Sequence, residues 1–126
     1  MIALVSTVDG VFSVDLESGE VSAADSFAAA AEPMLNLPRV VAADAAGATV
    51  VAAVDAKPPL LVSYDAGATW RGAGRGLPPP RAVAVSPDDP DTMLYAARNR
   101  LYLSRNGGVF WSALGGELPE ILGVSV

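Results

Sequence analysis

Two stretches decide how this chain folds: Ser63-Tyr64-Asp65-Ala66-Gly67-Ala68-Thr69-Trp70 and Ser104-Arg105-Asn106-Gly107-Gly108-Val109-Phe110-Trp111. Each has a serine, a short acceptor side chain two residues on, a glycine two further and a closing tryptophan, and the copies lie 41 residues apart. A second landmark keeps that spacing. Leu37-Pro38, Leu77-Pro78 and Leu118-Pro119 recur at intervals of 40 and 41 residues, each ahead of a β-branched, valine-rich run. A period of about 40 to 45 residues with several short strands per unit belongs to radial β arrays built of four-stranded blades, not to helical solenoids.

Alternation and turn residues predict four strands in the unit that ends at the second stretch: 81–86, 93–97, 101–105 and 109–114. The turns between them are chemically competent: Pro87-Asp88-Asp89-Pro90-Asp91, Arg98-Asn99-Arg100 and Asn106-Gly107-Gly108. The preceding unit repeats the pattern at 40–43, 49–54, 60–64 and 69–72. The inner runs Val40-Val41-Ala42-Ala43 and Ala82-Val83-Ala84-Val85 are small and apolar on both faces, as expected of strands covered by sheets on both sides.

The amino-terminal unit begins late. Residues 2–7 match a second strand, 10–15 a third and 21–24 a fourth, so its first strand is missing, whereas 118–126 repeats the opening of a unit and stops. The chain therefore reads as a circularly permuted all-β half-propeller of three four-stranded blades: blade 1 over 1–36, blade 2 over 37–76 and blade 3 over 77–117. Three blades cover only an arc, and an open apolar edge invites pairing. With the last strand placed at the far end of that arc, the expectation is a homodimer. Each carboxy-terminal strand completes blade 1 of the partner, and the two copies close a six-bladed ring by strand exchange.

Ser63-x-Asp65-x-Gly67-x-Thr69-Trp70 resembles the Asp box of the bacterial neuraminidase repeat (BNR) superfamily, found in sialidases, sortilin-type receptors and photosystem II assembly factors of propeller shape. In the second copy Asn106 stands for the aspartate and Phe110 for the threonine, while Ser104, Gly108 and Trp111 hold; the first unit keeps Ser13-x-Asp15 and Gly19. The motif implies a structure rather than an activity. A short carboxylate or amide accepts backbone N–H groups inside the turn, glycine takes the positive φ, and tryptophan covers the sheet edge. Asp65 is thus read as a turn fastener, neither catalytic nor a metal ligand, and Asn106 lacks the charge a hard cation wants.

The resemblance places ligands on the opposite face, formed by 25–39, 55–59, 71–81, 98–100 and 115–120. Its candidates are Arg39, Arg81 and Glu120 at inner-strand starts, with Arg75, Arg98 and Arg100 further out. Arginines there suit a carboxylate or phosphate. A sialidase-like reaction implies an arginine triad, a tyrosine nucleophile with a glutamate partner and a general acid. Here Tyr64, Tyr95 and Tyr102 all fall on predicted strands.

Composition narrows the field. The 126 residues carry 8 Lys+Arg against 14 Asp+Glu, a net charge of −6, and no His or Cys. Histidine- and thiolate-based catalysis, ordinary zinc sites and disulfides are excluded. Lys57 and seven scattered arginines are a poor match to a phosphate backbone, so nucleic acid is not an expected partner. Alanine and valine, 23 and 16 residues, account for most of the hydrophobic 52%, and no stretch reaches the roughly 20 apolar residues of a membrane span. Residues 1–15 lack the basic start of a signal peptide, and the expected location is the cytoplasm. One irregularity remains, an insertion over 24–36, read as a short helix capped by Asp25 and ended by Pro33 that lies over the ligand face. The expected function is a non-catalytic binding or assembly module, without cofactor or metal, for a protein, anionic or carbohydrate ligand. The alternative is a small glycosidase whose site spans the dimer and uses Glu120 from each copy.

Overall fold

The computed structural model describes residues 1–28 and 32–126, with twelve strands and no helix among the described residues. The strands are β1 (Ile2–Thr7), β2 (Gly10–Asp15), β3 (Val21–Ala24), β4 (Val40–Ala46), β5 (Thr49–Val54), β6 (Leu60–Ser63), β7 (Arg71–Ala73), β8 (Ala82–Val85), β9 (Met93–Ala96), β10 (Leu101–Ser104), β11 (Ser112–Leu114) and β12 (Ile121–Ser125). They form three blade-like antiparallel sheets of four strands: β12-β1-β2-β3, β4-β5-β6-β7 and β8-β9-β10-β11. All twelve strands fall where alternation predicts them. β7, β11 and β12 start two or three residues later than expected and β8 one residue later; for β7 and β11 the cause is that the Thr69 N–H donates to Asp65 Oδ1 (2.8 Å) and the Phe110 N–H to Asn106 Oδ1 (3.0 Å), which keeps those residues in their turns.

Side-chain alternation sorts the core into two layers, both made with the third sheet. Ala82, Ala84, Leu94, Ala96, Leu101 and Leu103 pack on Ala3, Val5, Val14 and Ile121 of the first sheet. The opposite face, Val83, Val85, Met93 and Tyr95, packs on Val51, Ala53, Leu60 and Val62 of the second. The third sheet therefore lies between the other two, with inner strand β8 flanked by β4 and β12. This order explains a difference from expectation. β8 is buried at all four positions, but the equally small and apolar run Val40-Val41-Ala42-Ala43 of β4 is half-exposed, because only one sheet packs against it.

The same order sets the position of the carboxy-terminal strand within the single chain. β12 pairs with β1 of its own chain, Val5 opposite Val124 and Leu4 opposite Ser125, and completes its own first sheet. The first sheet sits beside the third, so the short segment leaving β11 reaches β1 directly. Its path is fixed by Leu118 N–H to Asn99 O (2.8 Å), Ile121 N–H to Arg98 O (2.7 Å) and Val8 N–H to Glu120 O (3.0 Å). The long connection is instead the one from β3 to β4, which belong to the two outer sheets of the arc. Phe27 lies against β12, where a Cβ on Gly123 would sit 3.3 Å from its ring. The described residues 25–28 and 32–39 form no helix, and the rest of the helix expected there, 29–31, lies outside the described residues.

Candidate functional site

In four-stranded antiparallel sheets the turns alternate between two ends, which separates the motif turns from the loops that carry the arginines. At the motif end, Ser63 Oγ donates to Asp65 Oδ1 (2.7 Å) and accepts the Gly67 N–H (2.8 Å), and Asp65 accepts both the backbone N–H and the hydroxyl of Thr69. Gly67 has φ +91°, and Trp70 lies beside it. The third sheet repeats the device. Ser104 Oγ accepts the Gly108 N–H (2.9 Å), Asn106 takes the place of Asp65, and Trp111 Nε1 donates to Gly108 O (2.9 Å).

The first sheet departs from the reading of Ser13-x-Asp15 as a motif remnant. Val14 is opposite Ala3, just as Ser63 is opposite Val50 and Ser104 opposite Met93. Strand register thus puts Val14 at the serine position and Leu16 at the aspartate position. Asp15 caps its own turn by accepting the N–H groups of Glu17 (2.8 Å) and Ser18 (3.2 Å), which lowers its carboxyl pKa.

The hydrogen bonds from Thr69 and Ser63 hold the Asp65 carboxyl at about 2, down from an ordinary 3.8. A depressed carboxylate stabilises the fold above its unfolded pKa, and that contribution fades as pH falls from about 4 to about 2. Asp65→Asn is therefore expected to fold, as Asn106 does the same work, and to be less stable than the parent at neutral pH. In paired thermal melts the difference narrows below pH 4 and closes near pH 2; a difference constant with pH would contradict this.

The residue between serine and acceptor reaches the next sheet. Tyr64 donates its hydroxyl to Gly107 O (2.9 Å), and Arg71, 5.8 Å from the Tyr64 ring centre, donates to the same carbonyl (2.8 Å). Arg105 donates to Leu16 O (3.0 Å) and pairs with Glu17 (3.3 Å). Nearer the centre, Asp44 Oδ2 accepts the Val85 N–H (2.9 Å), closing an inner-edge donor that no neighbouring strand satisfies.

At the loop end, three of the six ligand-face candidates come together. The Glu120 carboxylate accepts from Arg98 Nε (3.0 Å) and faces the Arg81 guanidinium (3.5 Å). The Glu120 and Arg81 side chains are 34% and 38% exposed and Arg98 is 78% exposed, so one carboxylate serves two cations across the seam of the first and third sheets. Arg100 is half-buried in the same β9–β10 turn, with its Nε buried and lacking a hydrogen-bond partner. Arg39 stands apart. It is exposed, has φ +61°, and contributes its carbonyl to the Asp55 N–H (2.9 Å). Arg81 also lines an open cleft of about 450 Å³ bordered by β4, β8, β12, Phe27 and Glu32.

Spacing did not single out a larger groove on the same face, about 790 Å³ between 54–59 and 75–80. Its walls include Pro58, Pro59, Pro79 and Pro80, and its polar groups are Asp55, Lys57 and Arg75. The visible signal was two proline clusters flanking two isolated cations, which carries no meaning until the loops are neighbours. The tyrosines are committed elsewhere. Tyr95 is fully buried, donates to Pro78 O and has its hydroxyl pKa pushed well up by burial; Tyr102 packs edge-on to it at 6.3 Å. Compared with known proteins, the chain matches no family model and no curated protein.

Proposed function

We propose that the chain is a non-catalytic binding or assembly module of the Asp-box propeller type, with its ligand side at the arginine-bearing loop end. The observation that carries this reading is the engagement of Glu120 by both Arg81 and Arg98. A general acid must reach the leaving-group oxygen of its substrate, and the Glu120 carboxylate is already occupied by two guanidinium groups. The hydroxyls of Tyr95 and Tyr64 are likewise tied to Pro78 and Gly107. What remains available is donor capacity on Arg81, Arg98 and Arg39, which suits recognition of an anion.

A panel of chromogenic glycosides, sialosides included, tests the reading alongside thermal shifts with carboxylates and phosphates. The expected result is no turnover and a raised melting temperature with at least one anion. Turnover abolished by Glu120→Gln would establish the glycosidase instead. That variant is expected to fold, because partly exposed ion pairs contribute only about 0–1 kcal/mol each.

Self-association belongs to the same proposal and is favoured by the free face of the first sheet, where Ile2 and Leu122 are 51% and 55% exposed. Two copies that make the β12–β1 pairing in trans stack the first sheet on the second and close six blades with a twofold axis. Light scattering over a hundredfold concentration range is expected to give a dimer. A monomer throughout would leave the in-chain arc as the final assembly.

A further inference from the structure

The geometry points to a second binding element on the loop face: we propose that the groove walled by Pro58, Pro59, Pro79 and Pro80 binds a carboxylate attached to a flat apolar body, with Lys57 and Arg75 holding the carboxylate. The inference rests on the binding-module reading and specifies its ligand class.

Both walls are fixed before any ligand arrives. The first is tied by the Val54 N–H to Pro59 O (2.8 Å), and Pro58 lies so close to β7 that a Cβ on Gly72 would fall 2.7 Å from its ring. The second is anchored from beneath by the buried Tyr95 hydroxyl on Pro78 O, and from its side by the Leu77 N–H to Gly74 O (3.1 Å). Proline has no N–H, so these residues offer an anion no donor; Pro59 is buried beneath, and the ring surface left for a planar apolar group is that of Pro58, Pro79 and Pro80. Anion donors in the groove are therefore supplied by Lys57 and Arg75, which are exposed and have no ion-pair partner among the described residues. Asp55 is the single acid, leaving the groove net cationic on a chain of net charge −6. A rigid apolar slot with two unneutralised cations at its rim is complementary to one anionic head on a flat body, and its rigidity lowers the ordering cost of binding.

The test uses the full chain and three probes: 3-phenylpropionate, its carboxamide, and a tetrapeptide ending in phenylalanine with a free carboxylate. Backbone amide shifts are followed at Asp55, Lys57, Gly76 and Leu77. Both carboxylates are expected to saturate, with the carboxamide about tenfold weaker, and Lys57→Met and Arg75→Met each to lose about tenfold, as removal of one charge-assisted contact implies. Saturation by the small acid alone identifies a free metabolite as the source, and clearly tighter binding of the peptide identifies a chain terminus; either supports the site. Equal binding of the carboxamide, no saturation, or shifts centred on Arg81 and Arg98 would overturn it. The last of these leaves the binding-module reading standing, whereas glycoside turnover by Glu120 would overturn that reading and not the groove. Both substitutions are at exposed side chains, and an unchanged amide spectrum away from the groove confirms that the variants fold.

Discussion

Truncation after Glu117 is expected to abolish cooperative unfolding. The deleted residues carry β12, whose Ile121 is fully buried against Leu94, Leu101 and the first sheet, with Leu118, Val124 and Val126 packed on the same cluster. They also carry the ladder to β1 and the bonds to Asn99, Arg98 and Val8. Burial of one isoleucine is worth about 2–5 kcal/mol by truncation to alanine, and a domain's whole stability is about 5–15 kcal/mol, so loss of the entire strand consumes most of it. The truncated chain should bind a hydrophobic dye and show a sloping urea transition; a sharp transition matching the full chain would refute the placement of β12. The milder Ile121→Ala should fold and lose about 2–5 kcal/mol. If β12 is exchanged between copies, the full chain's midpoint rises with protein concentration, whereas in-chain pairing leaves it fixed.

The second large effect is expected at Gly107. Its φ is +71°, and a Cβ there would overlap the Tyr64 hydroxyl from the second sheet. Gly107→Ala carries about 1–2 kcal/mol of left-handed backbone strain. It also displaces the tyrosine whose hydroxyl, with Arg71, satisfies the Gly107 carbonyl, adding about 1–3 kcal/mol from overpacking and an unmet acceptor. A total near 3 kcal/mol should appear in urea denaturation. In a Tyr64→Phe background the overlapping hydroxyl is gone and the ring carbon at 3.3 Å is the nearest contact left, so the alanine should cost about 1 kcal/mol less. Strict additivity of the two substitutions would mean that the two turns are not coupled through this contact.

These two sites also mark the boundary of what the linear sequence determines. Alternation placed all twelve strands, because whether a residue faces core or solvent repeats every two positions whatever lies across the sheet. The turn chemistry of Ser63-x-Asp65-x-Gly67 was equally legible, since its hydrogen bonds close within a few residues. The opposite outcome at Ser13-x-Asp15 shows the limit of that legibility. The letters match, but pairing with β1 puts Val14 in the serine's place, and strand register depends on which faces are buried.

Only the tertiary structure decided which sheets are neighbours. The repeat gives the order of units along the chain, and the natural extension puts the last strand at the far end of an arc. Burial of Ile121, Leu94 and Leu101 in one cluster instead sets the first sheet beside the third and brings β12 home. The same arrangement turned Glu120, Arg81 and Arg98 into one ion-pair cluster and left Arg39 outside it. It also set Lys57 and Arg75 across a proline-walled groove. Local rules fix strands and turns because their interactions are short in sequence. Neighbouring sheets and shared sites depend on apolar faces and charges that meet only after the chain has closed on itself.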